Sequence, residues 1–325
     1  MDDAATDEGS EFEIIARLFA PLADPHGARG LVDDAALISG QFVVTVDTIV
    51  EGVHFLPTDP IGSVAQKALR VNFSDLAAKG AQPAHYLLAL AWPDDRPASQ
   101  IAEFAAGLAL DQAAFGATLL GGDTTATPGP LTITVTAFGR PLGARTPSRT
   151  DAQVGDDVWV TGPIGAGLLG LEAARGRAPA TLSPNQVEAL VAHYRTPRPR
   201  IDRAALVAEV AHASMDVSDG LLADAPKIAA ASGVHLAIDL DAVPMPPAAA
   251  DWFAPGPVDR LRLARGGDDY EILFTASQSA RARISDAAHL IGVVREGAGL
   301  SVLADGRAIP IEASGYVHRL GQKRR

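Results

Sequence analysis

Residues 42–55 read FVVTVDTIVEGVHF. The first five residues are apolar or β-branched, which is typical of a short buried strand. The strand leads into the carboxylate of Asp47 and then into a loop that holds Gly52 and His54. A buried carboxylate is costly unless it accepts hydrogen bonds, pairs with a base or holds a cation. The stretch therefore predicts a strand that ends at a charged site.

The same pattern recurs twice further along the chain. ATLL at 117–120 leads into GGDTT at 121–125, and HASM at 212–215 leads into DVSDG at 216–220. An acid next to Gly, Ser or Thr most often caps a helix or shapes a turn, so one such motif is a weak sign of a site. Recurrence favours a metal–phosphate site, because Mg²⁺ prefers oxygen ligands and is commonly shared between carboxylates and phosphates. The candidate acids are Asp33, Asp34, Asp47, Asp75, Asp123, Asp216 and Asp219.

Composition narrows the class of protein. A chain of 325 residues with 47% hydrophobic composition predicts a large core and two domains. A net charge of −12 disfavours nucleic acid and anionic membranes as partners. The chain has no cysteine, which excludes disulfides and thiolate nucleophiles and favours a reducing compartment. The acidic start, MDDAATDE, lacks the basic residues of a secretory signal, so we expect a cytoplasmic protein.

Helical and strand patterns alternate along the chain, which predicts an α/β or α+β fold with mixed sheets. Residues 140–156 are rich in Pro, Gly, Arg, Ser and Thr and predict a domain junction. We therefore expect a disordered leader at 1–10 and domains at 11–148 and 149–325. Helices are predicted at 11–19, 64–79, 99–115, 165–175, 185–194, 201–211 and 220–232, and strands at 42–47, 86–91, 131–138, 157–161, 234–240, 270–275 and 289–294.

The sequence can be searched for the two common phosphate-binding motifs, GxGxxG and GxxxxGK[ST]. GAGLLG at 165–170 matches GxGxxG, but no second strand ending in an acid follows it ~20 residues on, as a dinucleotide site requires. A tight turn between a strand and a helix is the better interpretation. The chain has no GxxxxGK[ST] motif and no DxDxDG calcium loop. A phosphate ligand would therefore need another source of positive charge.

Six segments taken together resemble the thiamine-monophosphate kinase family, of the superfamily that includes aminoimidazole ribonucleotide synthetase. The resemblance implies transfer of the γ-phosphoryl group of ATP to thiamine monophosphate, by a homodimer with two α/β domains in each chain. It assigns ATP binding, metal binding and dimerisation to the first domain. The segments are Asp33-Asp34, 47–54, VNFSDLAAKGAQP at 71–83, GGDT at 121–124, DVSDG at 216–220 and GDDYE at 267–271.

The resemblance also implies roles for individual residues. Several Mg²⁺ ions would be held by Asp34, Thr45, Val46, Asp47, Asp75, Asp123, Asp216 and Asp219. The ATP contacts would be Gly122, Asp123, Arg149 and Ser218, and the thiamine phosphate contacts would be His54, Asp268 and Tyr316. The candidate catalytic residues are Asp75, Asp123 and Asp219. Val46 stands where the family usually has a hydroxyl residue, so its ligand would be the backbone carbonyl.

Two other functions fit parts of the pattern. An aminoimidazole ribonucleotide synthetase-like enzyme shares the Asp-Leu and Gly-Ala-x-Pro signals found at 75–83. A non-catalytic thiamine-phosphate or nucleotide sensor would explain Val32, Val46 and Ala166, which depart from the family pattern. Selenophosphate synthetase and the hydrogenase-maturation relative use a cysteine or its selenium analogue, which this chain lacks. No Ser or His has the spacing of an activated nucleophile, so direct in-line transfer is expected.

Overall fold

The computed structural model describes residues 13, 15–24, 26–97, 99–256, 258–304 and 306–310. The expected leader at 1–10 and the candidate residue Tyr316 lie outside these residues. The first described segment is a π-helical turn, Ile15–Phe19, which has no buried residue. The sequence predicts an amphipathic helix over 11–19, but the described part of that segment gives no residue to the core.

Five strands of the described chain form the first sheet: β1 (Ala36–Ile38), β2 (Phe42–Val50), β3 (Ala81–Pro93), β4 (Thr118–Thr127) and β5 (Thr132–Pro141). Their order is β1-β2-β5-β3-β4. Neighbours are antiparallel except β3 and β4, which are parallel. Helices α1 (Ile61–Ala78) and α2 (Ser99–Phe115) share one core with this sheet. The other face stays open, with Val46 59% and Leu87 38% exposed.

Seven strands of the described chain form the second sheet, in the order β12-β11-β8-β10-β6-β9-β7. They are β6 (Asp157–Val160), β7 (Ala211–Asp216), β8 (His235–Asp239), β9 (Ile272–Ala276), β10 (His289–Arg295), β11 (Gly299–Ala304) and β12 (Arg307–Ile309). Within this sheet β8 and β11 are parallel and the other neighbours antiparallel. Both sheets are therefore mixed, and the predicted fold class is confirmed.

The second half of the chain supplies the remaining described helices. They are α3 (Ala166–Ala174), α4 (Pro184–Arg195), α5 (Ile201–Val210), α6 (Leu221–Ser232) and the short helices α7 (Ala249–Phe253), α8 (Arg260–Ala264) and α9 (Arg281–Ile284). Helix α6 continues through Pro226. The first sheet ends at Pro141 and the second begins at Asp157, on either side of the predicted boundary at 148/149.

Helix α1 lies where the two halves of the molecule meet. Fourteen of its 18 residues are buried. Its apolar side joins the core of the first sheet, while Ala77 and Ala78 near its end pack in a cluster with Ala204 and Val207 of α5. Because so little of α1 faces solvent, its polar residues are directed into the protein. The helix thus places charged groups at the junction of the two sheets.

Three glycine-rich turns of the second half interlock at the same junction. The N–H of Asp268 donates to the carbonyl of Ser218 at 2.8 Å, which ties the 266–271 turn to the 216–220 turn. A Cβ on Gly167 would overlap the carbonyl oxygens of Gly267 and Asp268. Gly165 is the N-cap that begins α3 after β6, and residues 166–170 lie in the helix itself, so the expected turn between strand and helix ends at the first glycine of the GxGxxG segment.

Candidate active site

An acidic cluster forms the centre of the candidate site. Asp34 precedes β1, Asp75 lies in the last turn of α1, and Asp216 ends β7. One carboxylate oxygen from each lies within 4.8 Å of the other two. Asp75 is 9% and Asp216 3% exposed. Three segments far apart in sequence thus bring three acids to one buried point, as the sequence predicts for a metal–phosphate site.

Burial and like charge alter the acidity of these groups. Burial first, and then the charges of Asp216, Asp47 and Asp34, raise the pKa of Asp75 well above its usual range. Burial and the charge of Asp34 likewise raise the pKa of Asp216. Burial, with Asp34 and Asp219, raises the pKa of Asp47 to about 6. The ionised cluster therefore lacks enough positive charge for its own stability.

Asp34 differs because two cations contact it. Lys79 Nζ lies 2.6 Å from Asp34 Oδ2 and 2.6 Å from Asp33 Oδ1, and Arg149 pairs with Asp34 Oδ1. Burial alone would raise the pKa of Asp34, but Lys79 and Arg149 lower it to about 2. Asp34 is thus ionised at neutral pH. Arg149, a candidate ATP contact, is held by this carboxylate.

The donor set fits a hard divalent cation. In the described part of the chain, no Lys, Arg or His pairs with Asp75 or Asp216, and all the convergent atoms are oxygens. Thr45 Oγ1 lies 2.5 Å from Asp75 Oδ2 and 3.1 Å from the carbonyl oxygen of Asp34, so this hydroxyl joins the cluster. The Val46 side chain points to the open face of the sheet, which leaves only its backbone carbonyl as a candidate ligand.

The 216–220 turn presents Ser218 and Asp219 beside the cluster. The buried Asp224 Oδ2 accepts from the N–H groups of Ser218 and Asp219 at 3.1 and 3.0 Å. Lys227 Nζ contacts Asp219 Oδ2 at 2.7 Å and Asp224 Oδ1 at 2.8 Å. Asp219 therefore has a fixed orientation, while its side chain stays 30% exposed to a ligand.

His54 and Asp268 lie together although 214 residues separate them in the chain. Lys67 Nζ contacts the carbonyl oxygen of His54 and Asp268 Oδ2, each at 3.0 Å. His54 Nδ1 accepts the N–H of Val50 at 3.0 Å, so in the neutral ring Nε2 carries the proton and is a donor. The two described candidate contacts for thiamine phosphate thus share one buried lysine.

Gly122 and Asp123 lie on β4, at the far edge of the first sheet. The register runs from Asp123 through Ala89 and Thr134 to Thr48 of β2, so Asp123 faces the open side, opposite to Asp47. The hydroxyls of Thr48 and Thr134, 2.8 Å apart, confirm that this row shares one face. Three strand spacings, roughly 14 Å in all, separate β4 from β2. One chain therefore does not bring Asp123 to the acidic cluster.

Sequence reasoning missed four residues of this region: Lys67, Lys79, Asp224 and Lys227. Of these, Lys67 of α1 carries a usable signal. Lys67 follows Val64 by three residues and precedes Val71 by four, so it lies on the apolar face of the helix, where a lysine needs a buried partner. No comparable signal exists for Asp224, because an acid in the first turn of a helix is common.

Comparisons with known proteins identify the family of the chain. The family description "AIR synthase related protein, N-terminal domain" matches residues 32–140, and "AIR synthase related protein, C-terminal domain" matches residues 153–303. The chain thus belongs to the class of AIR synthase related proteins. Among curated relatives, the thiamine-monophosphate kinase of Caulobacter vibrioides is 40% identical over 340 residues, covering 98% of this chain and 94% of the relative.

Solved structures narrow the class further. The structure described as "AaThiL complexed with AMPPCP and TMP" superimposes with a TM-score of 0.83 at 30% identity, covering 95% of this chain and 97% of the other. Thiamine-monophosphate kinase from Stenotrophomonas maltophilia superimposes with a TM-score of 0.74 at 36% identity, covering 92% and 98%. The chain belongs to the thiamine-monophosphate kinase family.

Proposed function

We propose that this protein transfers the γ-phosphoryl group of ATP to thiamine monophosphate and so produces thiamine diphosphate. The buried cluster of Asp34, Asp75 and Asp216 carries the proposal, because its carboxylates need positive charge and no Lys, Arg or His among the described residues pairs with Asp75 or Asp216. The chain is 40% identical to a thiamine-monophosphate kinase. This relationship favours that reaction over an aminoimidazole ribonucleotide synthetase-like one.

The same cluster is proposed to hold Mg²⁺ with Asp47 and Thr45 beside it. When bound, Mg²⁺ would neutralise charge on the triphosphate and on the transferring phosphoryl group. The protein's own residues fix where that charge is needed. Thr45 orients Asp75, while Asp224 and Lys227 orient Asp219. This arrangement provides positioning and electrostatic stabilisation, the two main contributions to phosphoryl transfer.

Arg149 is proposed to change partner when ATP binds. Its guanidinium pairs with Asp34, and its Nη1 also donates to the carbonyl of Val32 at 3.3 Å. A cation at the acidic cluster would weaken the ion pair between Asp34 and Arg149. The guanidinium could then bind a phosphate, which it can contact with two hydrogen bonds at once. Ser218, Gly122 and Asp123 are the other proposed ATP contacts.

His54 and Asp268 are proposed to contact thiamine phosphate, with Tyr316 assigned the same role from the family resemblance. The Nε2–H of His54 is a donor suited to a phosphate oxygen. The Asp268 carboxylate suits a cationic or hydrogen-bond-donating part of the substrate. No described side chain is an activated nucleophile, so we expect direct in-line transfer with no phosphorylated enzyme intermediate.

A homodimer is proposed to complete the site. Open sheet faces of two copies, packed on a two-fold axis, would cover Val46 and Leu87. Asp123 of a second copy would then approach β2, where Asp123 of the same chain cannot reach. Position 122 of β4 requires glycine, because a Cβ there would overlap the carbonyl oxygen of Leu88 in β3.

A cytoplasmic location and the absence of nucleic-acid partners remain part of the proposal. They rest on the lack of cysteine and the net charge of −12. Among the described residues, no helix combines the length and apolar character that crossing a bilayer requires.

The test is turnover of thiamine monophosphate with ATP and Mg²⁺, followed as thiamine diphosphate formation. Calorimetric titration of each substrate runs in parallel. Stoichiometric formation of thiamine diphosphate and ADP is expected. Binding of thiamine monophosphate without turnover would instead indicate a sensor, and ATP-dependent formation of aminoimidazole ribonucleotide in its place would indicate a synthetase-like enzyme.

A further inference from the structure

Lys67 is a fully buried lysine that the proposed chemistry does not use. It lies in the second turn of α1 and is 2% exposed. An ammonium group in such a position is costly unless each of its donors has a partner. Its surroundings therefore show what this charge is for.

The ammonium of Lys67 has partners on three sides. It donates to the carbonyl of His54 and to Asp268 Oδ2, each at 3.0 Å, and lies 4.1 Å from the centre of the Tyr194 ring. An ammonium has three donors, and an aromatic face attracts the third. Lys67 is thus held in place and does not need a substrate phosphate to satisfy it.

The backbone at Asp268 needs such support. Asp268 has φ of 67° and Tyr270 has φ of 54°, in the left-handed region that costs energy for residues other than glycine. The Tyr270 hydroxyl donates to Asp268 Oδ1 at 2.9 Å, so the carboxylate is held from both sides. Burial and the Asp268 charge raise the pKa of Tyr270 well above its ordinary value, which keeps this donor protonated.

The lysine also joins two turns that lie far apart in the chain, one in each half of the molecule. His54 belongs to the turn after β2 in the first half, and Asp268 to a strained turn in the second half. The side chain of Asp268 is 29% exposed, so it can meet a ligand while Lys67 holds it from behind. Lys67 is thus a direct link between the two substrate-contacting turns.

We infer that Lys67 is a positioning residue for the phosphoryl acceptor: its ammonium sets the spacing of His54 and Asp268 across the two halves of the molecule. The inference rests on the proposed function, since it assigns these two residues to thiamine monophosphate. It concerns this substrate only. The contacts proposed for ATP lie on other segments.

The test compares steady-state kinetics of Lys67→Met and the wild type. Lys67→Met keeps the length of the side chain but removes the charge and the donors. Its KM for thiamine monophosphate should rise roughly ten- to hundredfold, the change expected from losing a hydrogen bond to a charged group. Its KM for ATP should stay within about twofold of the wild type, because only one substrate is misplaced.

Arg70→Met is the matched control. Arg70 lies one turn further along α1, contacts both carboxylate oxygens of Asp111 and donates to the carbonyls of Thr196 and Pro197. Arg70 is therefore also a cation on α1 that contacts the second half of the chain, but it contacts neither the turn of His54 nor the turn of Asp268. Arg70→Met should lower the melting temperature and leave both KM values unchanged.

Lys67→Gln covers the case in which Lys67→Met does not fold. The amide keeps donors for the carbonyl and the carboxylate, so the variant should fold and show a smaller rise in KM for thiamine monophosphate. An unchanged KM in this variant, or an equal rise of KM for ATP in either variant, would overturn the inference. A wild-type protein that fails to phosphorylate thiamine monophosphate would instead refute the proposed function itself.

Discussion

At the scale of single residues, Asp75 and His54 should fail in different ways. Asp75 lies in the acidic cluster, where its charge would act mainly in the transition state, so Asp75→Asn should lower kcat by roughly 10²-fold or more. His54 is proposed only to bind, so His54→Ala should mainly raise KM for thiamine monophosphate. Kinetics of both variants across a Mg²⁺ titration make the comparison. Equal losses of kcat, or an unchanged Mg²⁺ dependence in Asp75→Asn, would contradict these assignments.

The raised pKa of Asp47 predicts how the stability of the folded protein depends on pH. Its pKa rises from 3.8 to about 6 on folding. Between these values the folded state binds more protons than the unfolded state, so the free energy of unfolding falls as pH rises through this window and the penalty is complete above it. Asp47→Asn removes the penalty. In metal-free protein, it should raise the free energy of unfolding by about 1–2 kcal/mol at pH 8, after allowance for partial exposure, and by almost nothing at pH 4.

Urea unfolding of the wild type and Asp47→Asn in the presence of a chelator measures both values. Asn keeps the size of the side chain, and the backbone N–H at position 47 can still donate to Asn72 Oδ1, now 3.1 Å away. The difference between the two proteins is then due to the charge. A gain of the same size at pH 4 and pH 8 would show that the charge is not the cause.

At the scale of elements, the close packing of α3 on the 266–271 turn should determine the position of Asp268 in that turn. In Gly167→Ala, the new methyl group would press on the carbonyl oxygens of Gly267 and Asp268. Overpacking of this kind typically costs about 1–3 kcal/mol, and here it should also displace Asp268 and raise KM for thiamine monophosphate. Gly62→Ala is the control, because a Cβ there meets its nearest atom, the carbonyl oxygen of Glu103, at an ordinary 3.6 Å. Thermal melts and kinetics of both variants decide. A Gly167→Ala protein as stable and active as Gly62→Ala would contradict the predicted clash.

Elements also show how far the sequence could be interpreted. The predicted helix over 99–115 and the strands near 42–47 and 289–294 are confirmed, because apolar periodicity and glycine stops are local signals. Strands β11 and β12 and the short helices α7, α8 and α9 were not predicted. They are short and have little periodicity of their own, so their structure depends on neighbours in the folded chain.

Asp123 shows a limit of another kind. Tyr86 pairs with Leu119, but Leu87 pairs with Gly121, so Leu120 is an extra residue in β4. Such a bulge moves every later side chain to the other face of the sheet. Without it, Asp123 would pair with Leu90 and face the core. The motif GGDT identifies the acid, but only the register shows which face it occupies.

Of the acidic cluster, Asp216 was predictable because it ends an apolar run, while Asp34 and Asp75 were candidates from their places in a turn and near a helix end and from the family resemblance. The contacts of the compensating lysines were not predictable from the sequence, although the position of Lys67 on the apolar face of α1 shows that it needs a buried partner. Lys67 and Lys79 contact acids and carbonyls that lie far away in sequence, and no local pattern contains both partners. Burial of charge in pairs is thus the part of this site that sequence reasoning is least able to find.

At the scale of the whole molecule, we expect a dimer formed by the open face of the first sheet. Leu87→Lys places a charge on that face and should give a monomer. Its KM for ATP should be raised, because the monomer loses the ATP contact proposed for Asp123 of the second copy. Leu110→Lys is the matched control, since Leu110 is 63% exposed on α2, away from the sheet. Light scattering on both variants gives the mass. A wild-type monomer at micromolar concentration, or a dimeric Leu87→Lys, would contradict this assembly.

Helix α1 has a consequence for how the protein tolerates heat. It carries Asp75 of the acidic cluster and Lys67, which contacts both proposed substrate turns, and 14 of its 18 residues are buried, the largest share of any helix in the described part of the chain. An enzyme whose catalytic groups lie on a mobile lid loses activity well before it melts. Here Asp75 and Lys67 lie on a helix that is itself part of the core, so heat inactivation and global unfolding should set in at the same temperature.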